Sequence, residues 1–202
     1  FEDSNIGVYG KRVLEPEIAF KDFCKDPEKY PLNTPSGKIE IFSKTLWEKA
    51  NPGEIPPIPK YIQEWESPFG VEGRDFPLQA IGSHTLHRVH STHDNNDWLE
   101  EAFPHRVFIN KLDAEKRGIT DGDWVRVFNN RGEMIVPCRV TPRIMPGVVD
   151  IPSGAWWTPD ESGIDRRGAV NVLTSERLTP LAHGNAQHTI MVQVVKASRR
   201  RR

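Results

Sequence analysis

Cysteine is nearly absent from this sequence: its 202 residues contain two, Cys24 and Cys138, and no Cys-x-x-Cys pair. That excludes a zinc ribbon and an iron–sulfur motif within the chain. Long apolar runs are missing too, and none approaches the length of a membrane-spanning helix. Hydrophobic residues make up only 37%, which is low for a compact globule. The local signatures of self-contained catalysis are lacking: there is no Gly-x-Ser-x-Gly elbow, P-loop, Gly-x-Gly-x-x-Gly or His-Glu-x-x-His. No basic stripe with interleaved aromatics is present, so no nucleic-acid partner is expected. The net charge is −1, but the last four residues are all Arg; without them 23 Lys+Arg face 28 Asp+Glu, a balance of −5. No signal-peptide pattern opens the chain, and its first residue is Phe1 rather than Met. The expectation is a piece cut from a longer protein.

What is present in quantity is turn chemistry and tryptophan: 17 Pro, 15 Gly and 6 Trp. Residues 1–70 read as an N-terminal arm. Glu15 to Lys25 reads as a short helix, Lys38 to Phe42 as a strand, and Ser43 as the cap of a helix through Ala50. Asn51 to Pro59 holds four prolines and reads as an extended linker. Residues 71–196 read as the folded body and 197–202 as a disordered basic tail, an expression scar rather than a working patch. Within the body, strands are expected at Phe76–Ile81, Val107–Asn110, Trp124–Phe128, Glu133–Val140, Val148–Ile151 and Ile190–Val195. Helical turns are expected at Asp97–Ala102 and at Asp113–Arg117, the second capped by Asp113. Asn129-Asn130-Arg131-Gly132 reads as a hairpin turn. Short strands with frequent turns favour a mainly β fold, a small closed barrel whose long loops gather where a ligand could sit.

Four segments carry polar groups suited to a ligand. In Gly82–Asn95, His84, His87, His90 and His93 recur every third residue. A helical zinc site is one reading and a polar surface loop another. A third is a donor-rich loop that grips an anionic ligand, with the planar fork of Arg88 aided by His84, His90 and Ser91. Asn110 and Asp113 read either as helix capping or as acceptors for a base edge and sugar. Trp156, in Gly154-Ala155-Trp156-Trp157, either plugs the barrel mouth or stacks on a flat heterocycle. Asn171, Gln187 and His188 precede the closing strand, and the Asn and Gln amides match a donor–acceptor ring edge.

Taken in order, these segments resemble the C-terminal part of the dimethyl sulfoxide reductase family of molybdopterin enzymes, in its anaerobic dimethyl sulfoxide reductase and selenate-reductase-like branch. The matching phrases include Thr34-Pro-Ser-Gly-Lys-Ile-Glu-Ile41, His84…Arg88-x-His90-Ser91 and Ile109-Asn-x-x-Asp113-Ala. They continue with Arg117-Gly-Ile-x-x-Gly-Asp123, Gly154-Ala-Trp156, Asn171-Val-Leu-Thr174 and Gly184-Asn185-x-x-His-Thr189, so that only the Arg tail lies outside the likeness. The resemblance implies a double-psi β-barrel with short helices and an extended N-terminal arm. It implies a domain that covers a molybdenum-bis(molybdopterin guanine dinucleotide) cofactor in an enzyme reducing S-oxides or N-oxides during anaerobic respiration. His84, Arg88, His90 and Ser91 would then face pterin or pyrophosphate, Asn110 and Asp113 a guanosine, and Asn171, Gln187 and His188 the pterin edges. His87 and His93 fall outside the pattern. No catalytic residue and no metal ligand is expected in this chain. The metal ligand, any iron–sulfur cluster and a twin-arginine export signal would belong to upstream parts of a periplasmic or outer-face parent. Its partners would be an iron–sulfur electron-transfer subunit and a membrane anchor subunit. Two other readings of the residues stand beside this one: a double-psi barrel used for protein recognition without cofactor, and a His-rich zinc module.

Overall fold

A computed structural model describes residues 17–198 of the chain. The chain divides into two units, Phe1–Lys60 and Tyr61–Arg202. In the first, α1 (Lys21–Lys25) is a single turn with no buried residue, and Phe20 at its start adopts a left-handed φ of 57°. The expected helix is therefore shorter, and its first residues, Glu15 and Pro16, lie outside the described part. The helix α2 (Lys44–Lys49) begins at Ser43 as expected, with the Ser43 hydroxyl accepting from the Leu46 N–H.

Two expectations for this unit are corrected. Residues 38–42 form bends and not a strand. Among the described residues no neighbouring strand offers a ladder, and local side chains take up the backbone instead: Thr34 Oγ1 donates to the Lys38 carbonyl and Ser36 N–H to Glu40 Oε1. Asn51–Ile55 also folds into a turn rather than running extended. The Asn51 carbonyl accepts from the Glu54 and Ile55 N–H groups, and its side chain accepts from the Gly53 N–H.

The second unit is built on six strands. They are β1 (Leu78–Ile81), β2 (Val107–Asn110), β3 (Trp124–Phe128), β4 (Glu133–Thr141), β5 (Val148–Asp150) and β6 (Ile190–Lys196). Their apolar residues, mostly β-branched, point inward at alternate positions, so Leu78, Ala80, Val107, Ile109, Val125, Val127, Val149, Val192 and Val194 are all buried in one core. The strands close in the order β1-β5-β2-β4-β3-β6. The β1–β5 and β2–β4 pairs are parallel, and the other four are antiparallel. The pairing repeats about the central β5–β2 pair, which gives the two interlocked crossovers of a double-psi barrel. Closure leaves no exposed strand edge. Among the described residues, three α-helices decorate this unit: α3 (Glu72–Asp75), α4 (Asp97–Ala102) and α5 (Lys111–Glu115).

The start of α5 is also corrected. It begins at Lys111, and Asn110 caps it, its side-chain oxygen accepting from the Leu112 N–H at 2.8 Å. Asp113 is inside the helix and turns its carboxylate to the Gly147 N–H at 2.6 Å. Both Asn and Asp cap well, so their order in the chain does not settle which one does.

Candidate functional site

Because β1 and β5 are parallel and β6 is antiparallel to β1, the segments leaving Ile81 and Asp150 and the segment entering Ile190 emerge on the same rim. Asp150 stitches them together. Its carboxylate accepts from the Ser83 N–H at 3.0 Å and the Ser83 hydroxyl at 2.7 Å, and Ser153 N–H in turn donates to the Ser83 carbonyl. The third segment joins where the Gly82 N–H donates to His188 Nδ1 at 3.3 Å and Gln79 Nε2 donates to the His188 carbonyl at 2.8 Å.

The 82–96 loop carries most of the residues expected at the site. His84 and His90 are exposed, and their rings stand edge-to-face at 5.3 Å. His90 holds a left-handed φ of 53°. Ser91 is exposed, and its carbonyl accepts from the Trp156 indole N–H at 2.8 Å. Arg88 points the other way. It is buried, with Nη1 at 2.6 Å from Asp94 Oδ1 and Nη2 at 2.9 Å from His105 Nδ1.

Asp94 is the hub beneath this loop, and its side chain is 1% exposed. Besides Arg88 it accepts from Arg167 Nε at 2.8 Å and from the Trp156 N–H at 2.9 Å. Burial on its own would raise the Asp94 pKa. The Arg167 hydrogen bond, the Trp156 N–H and the charges of Arg167 and Arg88 outweigh it and hold the carboxyl below its ordinary value. His105 is pushed down to about 4 by burial and by the Arg88 charge, so it is neutral and accepts from Arg88 at Nδ1. Asp165, fully buried, organises the facing loop: its carboxylate accepts from the N–H groups of Thr158, Gly168 and Ala169 at 2.7–2.8 Å.

Eight of the ten expected residues therefore belong to the segments of one rim: His84, Arg88, His90, Ser91, Trp156, Asn171, Gln187 and His188. Gln187 is half-buried beside His188. Asn171 is exposed on the 3-10 turn Val170–Leu173 and lines a cavity of ≈ 720 Å³ with Arg131, Thr174, Arg177 and Asn185. Asn110 and Asp113 lie at the other rim, since β2 runs antiparallel to β5. There the Asn110 amide donates to the Ile144 carbonyl at 2.6 Å, and the two side chains pin the 142–147 turn. Sequence reasoning missed Asp94, His105, Asp165 and Arg167. Their partners are up to 73 positions away, and the one local signal was the charge density of Asp165-Arg166-Arg167.

The rim fits a flat ligand bearing phosphates. It presents imidazoles, a hydroxyl, amides and a 48% exposed indole. Thr85 Oγ1 and Arg88 Nε are buried in the loop without a hydrogen-bond partner among the described residues. No group of three or more His, Cys, Asp or Glu able to hold a metal ion occurs among the described residues. The class so defined is a closed β-barrel that presents preorganised donor loops to a polar cofactor.

Comparison with known proteins gives the family. The profile described as Molydopterin dinucleotide binding domain matches residues 78–191, and the chain belongs to that family; its cofactor is of the molybdopterin type. The chain is 47% identical over 197 residues to the dimethyl sulfoxide reductase DmsA of Escherichia coli K12, covering 94% of this chain and 24% of that protein. It is 38% identical over 187 residues to the dimethyl sulfoxide/trimethylamine N-oxide reductase of Cereibacter sphaeroides, covering 89% and 22%. It thus spans about a quarter of the length of these relatives. Acetylene hydratase from Pelobacter acetylenicus shares the fold, with a TM-score of 0.69 and 19% identity over 85% of this chain and 25% of that one. No helix among the described residues is long and apolar enough to cross a membrane.

Proposed function

We propose that this chain is the C-terminal domain of a bis(molybdopterin guanine dinucleotide) oxidoreductase that reduces S-oxides or N-oxides, such as dimethyl sulfoxide, in anaerobic respiration. The observation that carries this reading is the rim itself. His84, His90, Ser91, Trp156 and His188 are brought together from three segments, and buried ion pairs hold the loops in place. When bound, the metal–pterin group supplies the two-electron oxygen-atom chemistry. The residues of this chain bind it, orient it and exclude water. His84, His90 and Ser91 donate to pterin or pyrophosphate, and Arg88 adds positive charge from beneath. Trp156 stacks on a ring, and Asn171, Gln187 and His188 meet the pterin edges. Asn110 and Asp113 serve a guanosine through the turn they pin at the other rim. The parent holds the molybdenum ligand and an iron–sulfur cluster in other domains, is exported to the periplasmic side, and receives electrons from an iron–sulfur subunit held by a membrane anchor.

The test is the molybdenum and pterin content of the full-length parent carrying His90→Ala, Trp156→Ala or Arg88→Ala. His90 is exposed and Trp156 is 48% exposed, and the melting temperatures of the cofactor-free variants separate lost binding from lost folding. Loss of one hydrogen bond to a charged group predicts occupancy about tenfold lower at limiting cofactor. Full occupancy in all three variants would overturn the assignment of the rim.

A further inference from the structure

The exposed donors on the rim do not hold themselves in place. Three observations trace their placement to one carboxylate. First, Asp94 bonds side chains or backbone from two loops: Arg88 from its own, Arg167 and the Trp156 N–H from the 151–169 loop. Arg167 Nη2 also donates to the Asp94 carbonyl, so residue 94 is gripped at both its side chain and its backbone. Second, the two loops touch without space between them. A Cβ on Gly154 would stand 1.9 Å from the His90 carbonyl oxygen, and Gly154 has a φ of +99°. Third, Trp156 is fixed at both ends, by Asp94 at its N–H and by the Ser91 carbonyl at its indole N–H. His90, Ser91 and Trp156 thus share one rigid body in which Asp94 is the joint.

We propose that Asp94 is the positioning residue of the cofactor-binding rim, setting the spacing between the His90–Ser91 turn and the Trp156 ring so that both engage the cofactor together. This rests on the reading of the rim given above. Asp94 itself is buried beneath the rim, and it acts through Arg88, Arg167 and Trp156. Charge neutralisation alone is a different role. A carboxylate anywhere between the two guanidinium groups would satisfy it, whereas positioning needs the carboxylate at the distance that also reaches the Trp156 N–H.

The two roles separate with Asp94→Glu, which keeps the charge and moves it by one methylene. The full-length parent carrying Asp94→Glu is measured beside Asp94→Asn, with Trp156→Ala as the reference for a lost contact. Molybdenum and pterin content report occupancy, and thermal melting of the cofactor-free protein reports folding. Positioning predicts that Asp94→Glu melts within a few degrees of wild type, yet holds cofactor at least fivefold less well at limiting cofactor. Wild-type occupancy in Asp94→Glu refutes positioning, and so does an occupancy loss that scales with the fall in melting temperature across both variants. If Asp94→Asn does not fold, Asp94→Glu alone decides: lost cofactor with a melting temperature within a few degrees of wild type supports positioning, and lost cofactor with a larger fall refutes it. If Asp94→Glu is normal while Trp156→Ala loses cofactor, only this inference fails. If Trp156→Ala, His90→Ala and Arg88→Ala are all normal, the reading of the rim fails first.

Discussion

Acid should loosen the loop network through one residue, His105. The ring is 6% exposed, and its Nδ1 accepts from Arg88 Nη2 at 2.9 Å, so protonation would set an imidazolium against a guanidinium away from water. Burial and the Arg88 charge bring its pKa from 6.5 to about 4. The sign follows from proton counting. Above pH 6.5 the ring is neutral in both folded and unfolded chains and costs nothing. Between 6.5 and 4 only the unfolded chain takes up the proton, so folding stability falls as pH falls. Below 4 the folded state is protonated too, and the loss levels off. The whole step is about 3 kcal/mol, a shift of some 2.5 units at about 1.4 kcal/mol each. That is a large part of the about 5–15 kcal/mol that holds a typical domain together. The assay is urea unfolding at pH 7.5, 6.5, 5.5 and 4.5 for the wild type and His105→Asn, whose side-chain oxygen falls at the Nδ1 position. The amide cannot titrate but can still accept from Arg88. The wild type should lose about 2–3 kcal/mol more than the variant between pH 7.5 and 4.5. His87, also lowered by burial and by Arg88, acts in the same direction but is present in both proteins and cancels. Equal pH slopes for the two proteins would refute the buried, neutral His105 on which the reasoning depends.

Two further outcomes follow from the same packing. Asp165→Ala strands the N–H groups of Thr158, Gly168 and Ala169 and should cost about 3–5 kcal/mol in urea melts; a loss under 1 kcal/mol would mean the loop re-forms without it. Of the two thiols, Cys24 is exposed, while Cys138 is buried in the barrel with its pKa pushed up to about 11 by burial and by Asp123 and Asp121. A disulfide reagent at pH 8 should therefore titrate one thiol quickly and the second at least about a hundredfold more slowly until urea unfolds the barrel.

How much of this was legible depended on the range of the interaction. Val107–Asn110, Trp124–Phe128 and Asp97–Ala102 fall where the sequence places them, because alternating apolar residues and, for the helix, an Asn96 side chain that accepts from the Trp98 and Leu99 N–H groups act within a few positions. Residues 38–42 carry the same alternation and form no strand, because a ladder needs a neighbour that local pattern does not guarantee. The strand order β1-β5-β2-β4-β3-β6 was not readable from pattern alone, since parallel pairs join segments far apart in the chain; the resemblance to a family supplied the double-psi barrel but not that order. The site divides in the same way. Arg88 stood out as the one guanidinium of the His-rich loop, but its inward turn depends on Asp94 and on His105, which lies 17 positions further on. Asp94 lay at the end of a loop already full of polar residues, with nothing nearby to mark it as buried.

A network of buried charges is an expensive way to hold two loops together. Apolar side chains of equal volume often stabilise as well or better, because ions must be stripped of water before they pair. What packing lacks is direction. An apolar contact tolerates sliding by a fraction of an ångström, whereas one carboxylate that accepts from Arg88, Arg167 and the Trp156 N–H fixes three donors in angle and distance. A flat cofactor held by several weak contacts gains affinity only if those contacts are in register before it arrives; otherwise the ordering of the loops is charged against binding. The other rim uses the same device on a smaller scale, where Asn110 and Asp113 pin the 142–147 turn through the Ile144 carbonyl and the Gly147 N–H. On the proposed reading of the two rims, these buried polar groups lie one layer beneath the surface offered to the ligand, so substitutions in that layer should change how well the cofactor is held more than whether the barrel closes.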